Sequence, residues 1–257
     1  MKTRYSDSTT VNTSTQERTD STGGLNYVTF YNQKANIAVK VISTLGPGVK
    51  DGHPLLTYSV PTGEVDSEGK ALKEKEVVDI KDAPFVILQE FQCWVAKAQV
   101  APYEPLGCWL TRKDFNATYE GCKVKESFVA QILVLSDTGP ILAIAEVVGT
   151  KARFVADSAK ALVESKTKDF IKANPDSKNV FSRFRQVGTW NIIPKTGVFG
   201  PWSLAAATFD VATEEQVNTI LAWLDDASQE ETRDAYQSVY DFKVNKLREL
   251  SESTPAI

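Results

Sequence analysis

The feature that most constrains the fold is a pair of apolar runs on either side of a short turn. Residues 127–135 and 141–148 are nearly all apolar, and the turn-forming residues Ser-Asp-Thr-Gly-Pro separate them. Two such runs around so tight a turn predict an antiparallel strand pair. Because neither run alternates with polar residues, both faces of the pair should be covered, which places it at the centre of a sheet.

Shorter runs of β-branched and aromatic residues before this pair extend the predicted sheet. Strands are predicted at residues 27–31, 37–42, 55–60 and 77–80, with a charged loop at 61–75. Between Phe85 and Val95 alternate residues, starting with Phe85 and Ile87, are mostly apolar, as in a half-buried strand. Residues 25–211 are therefore predicted to form a β-rich, mainly antiparallel domain.

Helical signals are concentrated in the second half of the chain. Residues 158–173, between a capping Asp157 and a stop at Asn174-Pro175, predict an inserted helix. Thr213-Glu214-Glu215-Gln216 has the spacing of a capping box, and the apolar residues that follow lie on one helical face. A second start signal at Ser228 opens a helix that continues to Leu250. Residues 212–257 are therefore predicted to form a C-terminal helical hairpin.

Together these elements predict the α+β class. A mainly antiparallel β domain with a mid-chain helix and a C-terminal helical hairpin is expected, and an elaborated barrel of the oligonucleotide-binding (OB) type fits this pattern. The hairpin packs either on the chain's own β domain or on a second copy, which would make a homo-oligomer through residues 213–250. Residues 1–24 are rich in Ser and Thr and predict a disordered arm, unless a partner orders it.

Composition limits the location and the redox state that we expect. The 257 residues contain no apolar run of about 18 residues and no basic-then-apolar leader, so no membrane partner is predicted and a cytoplasmic location is expected. The three cysteines are odd in number and widely spaced, which is not typical of a disulfide framework. We expect reduced and mostly buried thiols.

The sequence offers little support for catalysis. Its only histidine, His53, lies in a turn-like stretch, where a solvated residue is more common than a catalytic base. One histidine without a Cys-x-x-Cys pair argues against a metal site, and no glycine-rich nucleotide motif is present, so no cofactor, metal or catalytic residue is predicted. A carboxylate-based hydrolase is the third functional hypothesis. Such an enzyme needs two carboxylates at a set distance, and the sequence contains 33 Asp and Glu residues but gives no distances between them.

The positive evidence is a segregation of charge. The chain has a formal net charge of -4, but residues 178–209 contain four cations and no acid, so this segment carries +4 and the remainder -8. The same segment is rich in large aromatic residues. Proteins that bind single-stranded nucleic acid stack bases on aromatic rings and hold phosphates with cations. The predicted contact residues are Lys178, Phe181, Arg183, Arg185, Trp190, Lys195, Phe199 and Trp202.

Two interpretations of this segment stay open at the level of sequence. In the first, the chain is a non-catalytic DNA-binding or RNA-binding protein that holds single strands on an aromatic and basic strand surface. In the second, the aromatic residues fill the core of the sheet and the arginines lie on an ordinary solvated face. The protein would then be a structural or assembly protein that self-associates through its C-terminal helices.

Overall fold

The computed structural model describes residues 3–5, 25–30, 52–67, 69, 71–98, 104–111, 117–148, 152–154, 164–166, 168–169, 172–173, 186–197 and 200–256. Within them, twelve strands and two complete helices are defined. The strands are β1 (Thr3–Tyr5), β2 (Tyr27–Phe30), β3 (Pro54–Val65), β4 (Ala71–Asp79), β5 (Pro84–Lys97), β6 (Pro105–Trp109), β7 (Thr118–Tyr119), β8 (Cys122–Ser136), β9 (Gly139–Val148), β10 (Ala152–Phe154), β11 (Gln186–Gly197) and β12 (Gly200–Val211). The helices are α1 (Glu214–Asp225) and α2 (Glu230–Ser253).

The strands form one curled, half-barrel sheet. Their order is β1-β4-β3-β2-β9-β8-β5-β11-β12-β10, with β6 paired to β5 and β7 paired to β8. Neighbours are antiparallel except for β2 with β9 and β10 with β12. The α+β class is therefore confirmed, and the finer assignment to an OB-type barrel is not.

The predicted central strand pair is present as β8 and β9. Their register runs from Ser136 opposite Gly139 to Ser127 opposite Val148, and β2 and β5 flank the pair in the sheet. Gly139 has a φ of 113°, a conformation that residues with a side chain rarely adopt, which explains a glycine at this turn. The centre of the pair, residues 129–134 and 142–145, is buried on both faces, as its largely apolar sequence predicts.

The prediction that Phe85 to Val95 keeps one apolar side is wrong. Ile87 pairs with Ile132 whereas Gln89 pairs with Gln131, so Leu88 is an extra residue in β5. Such a bulge shifts the alternation by one position, and residues beyond it change faces. Phe85 accordingly packs in one core cluster and Cys93 in another on the opposite side of the sheet.

The predicted charged loop at 61–75 is also wrong, because most of it is hairpin. Strand β3 extends to Val65 and β4 begins at Ala71, and the two strands pair along this length with one irregularity between Pro61 and Val65. The backbone ladder of a hairpin does not require apolar side chains. Residues 62–65 therefore continue the strand with their side chains exposed to solvent.

The curvature of the sheet defines an inner face. Strands β2 and β11 are four places apart in the order, about 19 Å in a flat sheet. The rings of Phe30 in β2 and Trp190 in β11 nevertheless meet with their centroids 5.1 Å apart. The face on which they meet is called the inner face below, and the opposite face, covered by α1 and α2, is called the helix face.

The two helices begin at local signals and pack on the sheet. The predicted capping box is confirmed: the Gln216 backbone N–H donates to Thr213 Oγ1 over 3.2 Å, and the Thr213 N–H donates to Gln216 Oε1 over 2.9 Å. Apolar side chains of both helices, including Ile220 and Tyr240, join Val129 and Leu133 in one cluster on the helix face. Neither helix, nor any other described helical segment, is long and apolar enough to cross a membrane.

Parts of two further predictions fall on described residues. Helical residues occur at 164–166, 168–169 and 172–173, within the helix predicted at 158–173. In the predicted disordered arm, Thr3–Tyr5 form a strand that pairs with β4, and the rest of 1–24 lies outside the described residues. The strand predicted at 37–42 also lies outside them.

Candidate binding surface on the β11–β12 hairpin

The structure places three of the eight predicted contact residues in strands. Trp190 and Lys195 belong to β11, and Trp202 belongs to β12 directly opposite Lys195 in the register. The side chain of Trp202 is not among those described. The other five predicted residues, Lys178, Phe181, Arg183, Arg185 and Phe199, lie outside the described residues.

Trp190 is not on the surface, and its assignment as a base-stacking residue has to be corrected. Its exposed fraction is 0%. The indole stacks on Phe85 with centroids 5.2 Å apart and 23° between the planes, and it meets Phe30 edge to face. A Cβ at neighbouring Gly188 would lie 2.6 Å from Phe85 Cζ, so this glycine leaves the space that Phe85 fills. Trp190 therefore belongs to the core of the inner face.

Beyond Trp190 the hairpin extends past its neighbours in the sheet. Strands β11 and β12 pair along their full length, but β11 pairs with β5 only through Val187–Thr189. On the other edge, β10 pairs with β12 only at Ala205–Ala207. Within the described strands, residues 193–197 and 200–203 thus have only each other as partners. We call this end of the hairpin the arm.

The β11 side of the arm is exposed, and the sequence of the arm contains no acidic residue. Ile193, Pro194, Lys195 and Thr196 are all exposed. No acidic residue occurs in the sequence from 178 to 209, so no carboxylate within the arm itself neutralises Lys195. Asp210, at the base of β12, is the first acid after this segment, and its Oδ1 lies 3.5 Å from Lys166 Nζ. The positive end of the hairpin is therefore separated from the first carboxylate by most of the length of β12.

His53 is not the solvated loop residue that its sequence context predicts. Its exposed fraction is 7%, and Nδ1 lies 2.5 Å from Asp79 Oδ2. Pairing of β3 with β4 creates this contact, because Leu55 is opposite Asp79 and the Ile80 N–H donates to the Pro54 carbonyl. Among the described residues, the side-chain partner of His53 is this carboxylate, and no hydroxyl or thiol bonds to its ring.

A second buried polar pair lies on the inner face. The Tyr58 hydroxyl donates to Glu76 Oε2, and Glu76 has an exposed fraction of 5%. Burial, together with the hydrogen bond to Glu76, raises the pKa of Tyr58. No cluster of His, Cys, Asp and Glu that could hold a metal ion occurs in the described part of the chain.

The sequence could have revealed part of this arrangement. The charge pattern of residues 178–209 marked the segment that includes the arm, but it gave no means of separating Trp190, in the core, from the residues beyond it. Comparison of the chain with known protein families, with curated proteins and with solved structures finds no match.

Proposed function

We propose that this protein is a non-catalytic binding protein for single-stranded nucleic acid, and that the β11–β12 hairpin and the basic segment that leads into it form the binding surface. The observation that carries this proposal is the segregation of charge. Residues 178–209 hold four cations without an acid, and this segment includes the arm, which extends past the pairing of β11 with β5. A local positive potential on an exposed arm attracts the phosphate backbone even when the whole chain is acidic.

The roles of the predicted residues change once Trp190 is assigned to the core. Base stacking in this proposal comes from Phe181, Phe199 and Trp202. Phosphate contacts come from Lys178, Arg183, Arg185 and Lys195. The strand register supports the pairing of a phosphate contact with a stacking residue at one position, because Lys195 of β11 lies directly opposite Trp202 of β12.

The proposed surface selects for single strands and tolerates many sequences. Stacking uses the flat faces of the bases, which a duplex keeps covered, and every base has such a face. Neither stacking nor phosphate contact involves the 2′-hydroxyl, so DNA and RNA share this chemistry. Strong duplex binding is not expected, because it usually requires a broad basic surface and the chain has a net charge of -4.

Fluorescence anisotropy with labelled oligonucleotides tests the proposal. We expect single strands to bind more tightly than duplexes of the same length, with a slope of log K against log salt of about -2.8 if all four cations contact phosphates. Charge reversal in Arg183→Glu/Arg185→Glu should abolish measurable binding and leave the circular dichroism spectrum unchanged. Trp202→Phe should reduce the quenching of tryptophan emission by the oligonucleotide, because Trp202 is the one of the five tryptophans that the proposal places against the bases.

The matched control reverses two exposed lysines on another strand. Lys123 and Lys125 are exposed on β8, and Lys123→Glu/Lys125→Glu changes the net charge by the same amount. The control should retain binding within a few-fold. If it loses as much affinity as the arginine variant, attraction by overall charge explains the binding. If the wild-type protein does not bind single strands at low salt, the proposal is wrong.

Self-association through the C-terminal helices has less support. Val217 and Leu221, two apolar residues of α1 within the 213–250 region, pack against Val187 and Ala212 of the same chain. A second copy would have to displace these contacts. Among the described helical residues, Phe242 on α2 is the large apolar side chain that stays exposed, at 69%.

A further inference from the structure

Two of the three cysteines lie side by side beneath the end of α2. Cys93 belongs to β5 and Cys108 to β6, and the register pairs Cys108 with Val95, two residues beyond Cys93. Both cysteines have an exposed fraction of 0% and form one cluster with Val95. Leu247 and Leu250 of α2 pack on this cluster. The two thiols therefore occupy diagonal positions on the same face of adjacent strands.

The two sulfur atoms interact directly and are not equivalent. Hydrogen bonding between the two thiols lowers the pKa of Cys108. The same hydrogen bond, together with burial, raises the pKa of Cys93. Because the thiolate is the form that reacts with oxidants, the lowered pKa of Cys108 favours this thiol as the attacking sulfur.

We propose that Cys93 and Cys108 are an oxidation site that forms a reversible intramolecular disulfide with hydrogen peroxide. The Cys108 thiolate attacks one peroxide oxygen, the O–O bond breaks, and Cys108 becomes a sulfenic acid as hydroxide leaves and takes up a proton. The Cys93 sulfur then attacks the Cys108 sulfur, the S–O bond breaks, and the second oxygen leaves as water. In total two thiols and one peroxide give one disulfide and two waters, each sulfur losing one electron.

Closing this bond requires a small movement of β6. Diagonal partners in an antiparallel pair have Cα atoms about 7–8 Å apart, and a disulfide usually joins Cα atoms about 4.4–6.8 Å apart. Strand β6 is suited to such a shift, because β5 is its partner in the described sheet and their register already changes between Ala96 and Lys97.

The C-terminus is coupled to the same strand. The Cys108 N–H donates to Thr254 Oγ1 over 3.2 Å, and the Trp109 Nε1–H donates to the Pro255 carbonyl over 2.9 Å. Both bonds attach the residues after α2 to β6. Oxidation is therefore expected to change how the end of the chain is held, and Trp109 offers a spectroscopic probe of that change.

A cleft provides a route for the oxidant. It has a volume of about 310 Å³, lies between the start of β6 and the last turns of α2, and is lined by Glu104, Pro105, Lys246, Glu249, Leu250 and Ser253. Leu250 lines the cleft and also packs on the thiol cluster. A peroxide molecule in the cleft is thus separated from the sulfur atoms by this side chain.

Thiol counting by mass spectrometry tests the proposal. The native full-length protein is treated with hydrogen peroxide, quenched, unfolded and alkylated. Two of the three thiols should lose reactivity, a Cys93–Cys108 peptide should appear, and dithiothreitol should restore both thiols. Cys93→Ser should form no disulfide and should accumulate a Cys108 sulfenic acid that dimedone traps. Leu250→Ala should speed the oxidation.

Cys122 is the internal control. It is buried in a separate cluster with Ala96 and Val124, so it should remain reduced, and Cys122→Ser should form the same disulfide as the wild-type protein. Oxidation of Cys122 at the same rate as the pair would show that the reaction requires unfolding, and would overturn the proposal. Retention of both thiols at peroxide concentrations that oxidise the unfolded chain would overturn it as well.

Discussion

The inner face and the helix face of the sheet are closed in different ways. On the inner face the strands close on themselves: Trp190 contacts Phe30 and Phe85, and Phe85 contacts Phe209, with centroids 5.1, 5.2 and 5.9 Å apart. Several neighbouring positions on the inner face are alanines, and their small side chains leave room for these rings. The alanines are Ala130, Ala143, Ala145, Ala205 and Ala207.

The helix face combines apolar packing with polar bonds between separate elements. The Asn26 N–H donates to the Tyr236 hydroxyl over 2.6 Å, and Gln89 Nε2 donates to Gln237 Oε1 over 2.5 Å. Glu146 lies 2.9 Å from Lys97 Nζ and 3.4 Å from Lys243 Nζ. Directional bonds of this kind position a helix on a sheet, whereas interlocked rings on the inner face hold distant strands together. Substitutions on the inner face should therefore lower the free energy of unfolding more than substitutions of the polar groups on the helix face.

The largest effect is expected from Trp190→Ala. The substitution removes the ring that joins β11 to both β2 and β5, and large-to-small changes of buried tryptophan cost about 3–5 kcal/mol. Urea unfolding followed by circular dichroism measures the change. The control Lys195→Ala, at an exposed position of the same strand, should alter the stability by less than about 0.5 kcal/mol. A loss below about 1 kcal/mol for Trp190→Ala would contradict the assignment of Trp190 to a closed core.

An intermediate effect is expected from Tyr236→Phe. The change leaves the Asn26 N–H without its acceptor, which should cost about 1–3 kcal/mol at pH 7. Burial raises the pKa of Tyr236, so the folded protein keeps this proton at a pH where the unfolded chain releases it. The contribution of Tyr236 to the free energy of unfolding should therefore be constant below about pH 10 and should fall as the pH rises further.

The pH dependence separates the titration from the lost hydrogen bond. Unfolding of both proteins is measured between about pH 7 and 11, a range that brackets the ordinary tyrosine pKa. The Tyr236→Phe variant should lose stability less steeply above about pH 10, although it starts from a lower value. If the stability of the two proteins falls equally steeply with pH, Tyr236 does not contribute to the loss of stability at high pH. Tyr58, whose pKa burial also raises, accounts for a part of the slope that both proteins share.

The smallest effect is expected from Glu146→Gln. This carboxylate and its two lysine partners are partly exposed, and such ion pairs contribute about 0–1 kcal/mol. The difference from the wild-type protein should shrink further at about 1 M salt, where exposed charges are screened within roughly 3 Å. Should the loss exceed about 2 kcal/mol and persist in salt, the polar bonds of the helix face would be as important as the ring contacts of the inner face.

Features that depend on residues close in sequence were predictable. The capping box joins Thr213 to Gln216, and the turn between β8 and β9 has its glycine where φ is positive. The α+β class and the central strand pair follow from apolar patterns within single elements. For the proposed binding surface, the sequence located the basic segment, because charge can be counted without knowledge of the fold.

Features that depend on pairing between distant elements were decided by the tertiary structure. The bulge at Leu88 is defined only against β8, and the contact of His53 with Asp79 only by the register of β3 with β4. Trp190 is buried because the sheet curls until Phe30 meets it, and Cys93 approaches Cys108 because β6 pairs with β5. A side chain's sequence neighbours set its chemistry, but long-range register and curvature set its surroundings. This is why the sequence identified an aromatic and basic segment and only the fold separated its core from its exposed arm.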